Sequence, residues 1–275
     1  MLQIGKYQHL TIERQAPPGL YLSDGEEEVL LPNKYIPDDF RLGDTLEVFV
    51  YKDHLERPVA TTLKPLLTIG EMALLNCTDV TDHGAFMDWG MEKQLLVPFR
   101  EQAMPLKVDV AYMVYLYLDE KTGRLVGSTR IDRFLDNEKL TVERFQEVEL
   151  LIYAIDEQGA RVVVNENHQG LIYHQDIFEE LRVGDQLKGY VRKIRPDNKL
   201  DIVLHAPGYK GIAPNAQYIL DELKQSGGKL DLHDKSTPEE IRDRLGLSKK
   251  SFKKAIGQLY KERQVRITEN GIELL

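Results

Sequence analysis

Three stretches of this chain share one order of short apolar segments, and this internal repeat limits the folds that the chain can adopt. The copies read LLPNKYIP, RLGDTLEVFVY, PVATTL; then LLVPFRE, KVDVAYMVYLYLD, RLVGST; then GLIYHQD, RVGDQLKGYVRKI, KLDIVL. The corresponding leucines, Leu30, Leu95 and Leu171, lie 65 and then 76 residues apart. That spacing suits one five-stranded barrel per copy.

The segments within these copies have the composition of β-strands. LEVFVY, YMVYLYL, VELLIYAI and RVVVN are short, rich in β-branched and aromatic residues, and bounded by Gly, Asp, Asn or Pro. Long helical stripes are absent from residues 1–206. Many short strands at even spacing predict small barrels, which close on themselves and leave few exposed edges.

After the Pro- and Gly-rich segment HAPGYKGIAPN, the hydrophobic period changes from two to about 3.6 residues. The predicted boundary residues are Gly227 and Gly228 at the end of a first helix, Ser236 or Thr237 and then Pro238 at the start of a second, Ser248 before a third, and Asn270 and Gly271 in a hairpin turn. Helix, strand, helix, helix and hairpin is the element order of a winged helix.

The sequence therefore predicts a mainly β protein with four domains. Three tandem five-stranded barrels of the oligonucleotide-binding (OB) fold are expected at residues 1–64, 65–139 and 140–206, and an α+β winged-helix domain at 207–275.

Charge restricts the partners that such a chain can hold. The net charge is −9, but residues 1–206 carry −12 whereas residues 207–275 carry +3. Because Lys and Arg neutralise phosphates, the acidic body predicts modest, salt-sensitive binding of nucleic acid rather than tight wrapping of duplex DNA.

The cysteine content and the absence of known catalytic motifs restrict the cellular compartment and the reactions expected of this protein. Cys77 is the only cysteine, so no intrachain disulfide or cysteine-based zinc site can form, as is typical of a reducing compartment. We expect a cytoplasmic protein with no membrane partner, because no leader-like or membrane-spanning segment is evident. A P-loop, a Rossmann glycine motif, an H-E-x-x-H helix and a nucleophile elbow are absent, so we expect neither enzymatic activity nor a cofactor or metal.

Two of the copies carry motifs of a known RNA-binding domain. TDVTDHGAFMDWGMEKQLLVPFRE, with its core Gly84-Ala85-Phe86, resembles the opening of an S1 domain, and GLIYHQDIFEELRVGDQLKGYV resembles its continuation. Three tandem S1-like modules followed by a winged helix resemble, over essentially the whole chain, the bacterial conserved virulence factor B family. The resemblance implies an RNA-binding regulator that acts after transcription.

The resemblance also implies where RNA would lie. In the second copy the S1 positions are filled by His83, Phe86, Asp119 and Arg124, while Pro98 replaces a ring. In the third copy the same positions are filled by Gln158, Arg161, Tyr173, Arg195 and Lys199. The first copy lacks the Gly-Ala-Phe core and carries an acidic SDGEEE tip, so we expect it to be mainly structural.

Further candidates follow from rings and cations near these positions. Trp89 is close to Phe86, and the cationic strand YVRKIRPDNK adds Arg192 and Lys193, with His168 and His174 nearby. Phe86 could equally belong to the core, and a metal site at the two histidines would need further ligands. The winged-helix candidates are Lys249, Lys250, Lys253, Lys254, Lys261, Arg263 and Arg266. Lysines mainly contact phosphates, although these lysines could simply form the solvent-exposed face of an amphipathic helix.

Three functions remain open. The first is sequence-tolerant binding of single-stranded RNA, with the third barrel and the winged helix forming one surface. The second is a protein-interaction scaffold for the ribosome, RNA polymerase or a ribonuclease, in line with the acidic body. The third is a DNA-binding transcription regulator that uses the winged helix alone.

Overall fold

The computed structural model describes residues 1–177, 180–205, 214–268 and 270–275. Its first sheet is a closed barrel with the strand order β1-β2-β3-β5-β4. The strands are β1 (Lys6–Ala16), β2 (Gly19–Ser23), β3 (Glu28–Pro32), β4 (Thr45–Lys52) and β5 (Pro58–Thr61). Strands β3 and β5 pair in parallel, and the other pairs are antiparallel.

The second sheet repeats this topology without a complete ring of hydrogen bonds. Its strands are β6 (Met72–Thr81), β7 (Gly84–Asp88), β8 (Leu95–Pro98), β9 (Ala111–Asp119) and β10 (Arg124–Ser128), in the order β10-β9-β6-β7-β8. Strands β8 and β10 lie side by side, since a Cβ atom on Gly127 of β10 would come within 2.9 Å of Val97 in β8. The second barrel is therefore partly open.

The third sheet is again a closed barrel, with the order β11-β12-β13-β15-β14. Its strands are β11 (Glu147–Asp156), β12 (Gly159–Val164), β13 (His168–Tyr173), β14 (Gln186–Ile194) and β15 (Leu200–Val203). Its core holds Ile152, Val162 and Ile202 among other fully buried aliphatic residues. The three predicted five-stranded units are confirmed.

One glycine per barrel shows that the three hairpins share a register. Gly19, Gly84 and Gly159 each open a second strand with φ between 140° and 154°. A Cβ atom there would lie 2.0, 2.4 or 1.9 Å from a carbonyl oxygen of the facing third strand. Only glycine permits that approach. The first copy thus keeps the essential glycine of the S1 motif although its Ala-Phe pair is absent.

The shared register also corrects one detail of the sequence alignment. Leu30 faces Tyr21, Leu96 faces Phe86, and Leu171 faces Arg161. Leu96, rather than Leu95, is therefore the second-barrel counterpart of the other two leucines.

The C-terminal domain has the predicted order of elements. It contains α1 (Pro214–Gln225), β16 (Lys229–Leu230), α2 (Pro238–Leu245), α3 (Lys249–Lys261), β17 (Val265–Ile267) and β18 (Ile272–Leu274). Thr237, not Ser236, caps α2, since its hydroxyl accepts from the Glu240 amide and the Glu240 carboxylate accepts from the Thr237 amide. Ser248 caps α3 as predicted. The three helices pack around Phe252, which is fully buried.

Within the described ranges, the helices are all too short or too polar to cross a lipid bilayer.

Candidate nucleic-acid interface

The shared register allows the three barrels to be compared position by position. Tyr21, Phe86 and Arg161 occupy one equivalent place on the second strand of each barrel. Opposite the turn glycine that the three barrels share stand Pro32, Pro98 and Tyr173. The third barrel is therefore the one that combines a third-strand ring with a second-strand cation.

A depression of about 480 Å³ opens on this face of the third barrel. It is lined by Gln158, Arg161, Gln169, Gly170, Leu171, Tyr173, Arg195, Lys199, Leu200 and Asp201. The structure thus brings together four of the residues predicted from sequence, namely Arg161, Tyr173, Arg195 and Lys199. They meet because Arg161 faces Leu171 across β12 and β13, and Leu171 in turn pairs with Asp201 of β15, which follows the turn that carries Arg195 and Lys199.

Tyr173 is the centre of this face. The guanidinium carbons of Arg192 and Arg195 lie 5.7 and 5.6 Å from its ring centroid, within the range of cation–π attraction. Asp176 binds Arg192 at 2.7 Å, and Asp201 binds Arg195 at 2.8 Å. The ring is half-buried, so part of it remains open to solvent.

Aspartates also accompany the other cations of the face. Arg161 lies 2.6 Å from Asp156, and Lys199 lies 3.1 Å from Asp197. Although burial acts in the opposite direction, the hydrogen bond from Arg161 lowers the pKa of Asp156, and the same pair raises the pKa of Arg161. These partners partly neutralise the face, and an incoming phosphate has to share or replace them.

Lys193 differs from its neighbours. It is exposed near the end of β14 and forms no ion pair with any described residue. It lines neither depression, but it is the cation of β14 that is most readily available to a phosphate.

A second depression, of about 570 Å³, separates the third barrel from α3. It is lined by Gln158, Tyr173, His174, Gln175, Ile177, Asn215, Lys250, Ser251, Lys254, Ala255 and Gln258. Lys254 Nζ donates a hydrogen bond to the Gln175 carbonyl oxygen at 2.7 Å, which ties α3 to the barrel. Because Gln158 and Tyr173 line both depressions, the two adjoin. We call the pair together the barrel–helix groove.

Amide side chains are a component of the groove that the sequence analysis did not single out. Gln169 and Gln175 line it beside Gln158, which the S1 comparison had noted only for its missing ring. Gln169 Nε2 donates to the Tyr153 hydroxyl at 2.9 Å, so its side chain is held in place. Glutamine is neither charged nor aromatic, so the sequence alone offers no reason to select these residues. Only the register of β13 would have indicated that they lie at the same rim of the barrel.

Trp89 does not belong to the interface. It is 3% exposed, its ring lies 5.9 Å from that of Phe49 in an edge contact, and its indole nitrogen donates to the Lys93 carbonyl at 2.6 Å. The ring joins the first barrel to the second, because residues from both barrels form that hydrophobic cluster. It cannot stack on a base, so the prediction for Trp89 is wrong.

His168 is likewise an interior residue. It is fully buried; Nε2 accepts from the Thr141 amide at 3.1 Å, and Nδ1 donates to the Asp136 carbonyl. Both ring nitrogens are occupied, which leaves no lone pair for a metal or a base. Among the residues that the structure describes, no three His, Cys, Asp or Glu side chains are grouped as a metal would require.

Asp119 and Arg124 are committed to other contacts in the second barrel. Asp119 is 8% exposed and accepts from Arg100 at 2.7 Å, and hydrogen bonds from the Lys121 amide and from Arg100 lower its pKa. Arg124 lies 3.0 Å from Glu56 of the first barrel, so it bridges the two barrels. Asp119 is therefore removed from the candidate surface.

The S1 motif of the second barrel is only partly exposed. Phe86 is half-buried while Ala85 and Met87 are fully buried, so Phe86 does not belong to the core. His83 is exposed in the preceding turn. These two side chains lie on a barrel other than the one that carries the groove.

Cations of the winged helix lie on more than one side of the domain. Lys250 and Lys254 line the groove, and Lys253 is exposed outside its lining. In the wing, Arg266 pairs with Glu273 at 3.3 Å. Among the remaining predicted cations, Lys249 is half-buried, whereas Lys261 and Arg263 are exposed.

Comparison with known proteins agrees with this architecture. The S1 domain model matches residues 4–63 and 69–130, and the model described as a CvfB-like winged helix domain matches residues 217–274. The uncharacterised protein YitL of Bacillus subtilis is 30% identical over 97% of this chain and 92% of its own length. Conserved virulence factor B of Staphylococcus epidermidis is 25% identical over 86% of this chain and 82% of its own.

Among solved structures, a multidomain protein with nucleic acid binding domains from Streptococcus pneumoniae is 25% identical. The match covers 99% of this chain and 98% of that one, with a TM-score of 0.43.

Together, the barrels, the domain matches and the groove define a multidomain protein built from S1 barrels and a winged helix, two domain types that bind nucleic acids. Relatives match along most of the chain. The chain belongs to the conserved virulence factor B family.

Proposed function

We propose that this protein binds single-stranded RNA in the barrel–helix groove and acts after transcription, in the cytoplasm and without catalysing a reaction. The observation that carries the proposal is that Tyr173 lines both halves of the groove, with cations of the third barrel on one side and Lys250 and Lys254 of α3 on the other. Bases can stack on an aromatic ring while cations follow the phosphates, and this arrangement tolerates many sequences.

The aspartate partners support modest rather than tight binding. In the free protein, Asp156 and Asp201 hold the groove arginines Arg161 and Arg195, and Asp176 holds Arg192 beside the Tyr173 ring. A phosphate gains only the difference between its own attraction to the cation and that of the aspartate. Affinity should therefore fall steeply with salt, as for other electrostatic binders of nucleic acid.

The proposal is tested by measuring binding of a uridine-rich oligonucleotide to the full chain. Changing both Lys193 and Arg195 to alanine should weaken binding, because these cations lie at the groove end of β14. The matched control changes Arg182 and Lys188 to alanine, which also removes one arginine and one lysine from the third barrel. Lys188 lies near the opposite end of β14 and pairs with Glu147 at 3.2 Å. Equal affinity of the two double variants would remove the support for this groove.

Geometry disfavours the DNA-regulator alternative. In helix-turn-helix proteins the recognition helix enters the major groove of DNA. Here the side of α3 that carries Lys250, Lys254 and Gln258 faces the third barrel. A duplex could reach that side only if the barrel moved away.

One observation favours a second candidate function, a protein-interaction scaffold. The segment from the end of β8 to the start of β9 exposes Phe99 (54%), Met104 (58%) and Val108 (46%) on the acidic part of the chain. Exposed apolar groups of this kind can mark protein contacts, for example with the ribosome, RNA polymerase or a ribonuclease. A pull-down with and without ribonuclease separates the two functions, since partners that bind through RNA are lost on digestion.

A further inference from the structure

The middle of α3 contains a glycine that the fold does not require. Gly257 has ordinary helical backbone geometry, since it is absent from the positive-φ glycines, and a Cβ atom added there would meet no other atom within 4 Å. Glycine is among the poorest residues for a helix interior, and alanine would be more stable. Neither backbone conformation nor packing explains its presence.

The side chains around this glycine share one chemistry. On a helix the neighbours of a residue are those three and four positions away, which for Gly257 are Lys253, Lys254, Tyr260 and Lys261. Lys253 and Lys261 are exposed and form no ion pair with any described residue, and Tyr260 is 58% exposed. Three cations and one ring therefore surround a notch in the helix surface.

We propose that this notch, defined by Gly257 and its four neighbours, is where the backbone of an RNA strand comes closest to the winged helix. The inference rests on the proposed function and extends it from the groove to the adjacent side of α3. The missing side chain lets a phosphate approach the helix backbone, where Lys253 and Lys261 provide counterions and the Tyr260 ring can stack on a base.

Charge distribution favours a phosphate over other anions at this place. Arg161, Arg192 and Arg195 of the third barrel each have an aspartate partner, whereas Lys253 and Lys261 form no ion pair with any described residue. Lys253 and Lys261 are eight residues apart, so their Cα atoms are separated by about 12 Å along the helix. That length suits two phosphates of one extended strand better than one compact anion. Continuity with the groove through Lys254 supports the same strand passing from one to the other.

The test separates stability from binding by changing the glycine itself. Gly257→Ala should raise the melting temperature of the winged-helix transition by about 4 to 8 °C, because alanine favours the helix and its methyl group has room. Gly257→Leu keeps a good helix former but fills the notch. We expect it to weaken binding of a uridine-rich oligonucleotide about tenfold, because the leucine side chain would hold the phosphate away from Lys253 and Lys261.

Two controls match these changes. Gln225→Leu adds an exposed leucine to α1, and Lys235→Ala removes an exposed lysine of the same domain outside α3; neither should alter binding. Lys253→Ala combined with Lys261→Ala should reduce the slope of log affinity against log salt by about 1.4, the value for two single-strand phosphate contacts.

The outcomes distinguish the two proposals. If Gly257→Leu binds RNA like the wild type while the Lys193 and Arg195 double variant does not, the notch is wrong and the groove stands. If wild-type protein binds duplex DNA but not the oligonucleotide, and Gly257→Leu abolishes the DNA binding, both RNA proposals are wrong.

Discussion

Replacing Tyr173 with leucine is the sharpest single perturbation of the proposed groove. Stacking of a base on an aromatic side chain contributes about 1 to 3 kcal/mol, which corresponds to a loss of about 5- to 160-fold in affinity. The ring is half-buried and flanked by the guanidinium groups of Arg192 and Arg195, so it is already oriented before RNA arrives. We therefore expect a loss near the middle of that range, about 2 kcal/mol or thirtyfold.

The matched variant is Tyr173→Phe. The Tyr173 hydroxyl lies 3.5 Å from an oxygen of Asp201, a distance too long for a strong hydrogen bond. The phenylalanine variant should therefore bind RNA nearly as well as the wild type. The assay is fluorescence anisotropy of a labelled uridine-rich oligonucleotide at one fixed ionic strength, with thermal unfolding to verify that each variant is folded. Wild-type affinity for a folded Tyr173→Leu variant would refute the assignment of the ring to stacking.

Other predictions address the fold and the ion pairs. Gly159→Ala should destabilise the third barrel by at least about 2 kcal/mol in urea unfolding, because the new Cβ atom would lie 1.9 Å from the Ile172 carbonyl oxygen. Trp89→Ala should lower stability by about 3 to 5 kcal/mol through the junction of the first two barrels, yet leave RNA affinity unchanged at temperatures where the protein is folded. The lowered pKa of Asp156 means that its stabilising contribution is present above its unfolded value and is lost as pH falls through the folded one. Stability from this pair should therefore be constant from neutral pH to about pH 4 and decrease below it, and Asp156→Asn should flatten that acid decrease.

Much of the fold could be predicted because local patterns and tertiary structure agree. Strand-like segments, the cap at Ser248 and the Asn270-Gly271 turn each depend on residues close in sequence, and the structure contains the strands, helices and hairpin that they predict. The equivalence of Gly19 with Gly84 and Gly159 was missed because the first copy differs in the two residues that follow. Backbone clearance at the hairpin requires glycine whatever those residues are.

Burial was the property that the sequence could not supply. Trp89 follows the S1 motif closely, yet its ring packs on Phe49, which lies 40 residues earlier in another barrel. His168 lies five residues before the candidate ring Tyr173 in the sequence, but its partners Asp136 and Thr141 precede the third barrel's first strand. Packing between modules determined both outcomes, and a motif within one module carries no information about it.

The net charge of the groove also depends on contacts between residues that are distant in sequence. The segment YVRKIRPDNK reads as strongly cationic, but Asp176 and Asp201 come from other parts of the third barrel to pair with its arginines. Sequence therefore identified the cations and overstated how freely they are available. Sequence also identified Lys253 and Lys261 as candidates, but it did not single out Gly257 between them, because only the structure shows that a side chain would have room there.

Photo-crosslinking of the full chain to an oligonucleotide containing 4-thiouridine, followed by mass spectrometry of the peptides, tests direct RNA capture by the C-terminal half most directly. The account predicts crosslinks at Tyr173 or its neighbours on β13, and on α3. Crosslinks confined to the first and second barrels would contradict it.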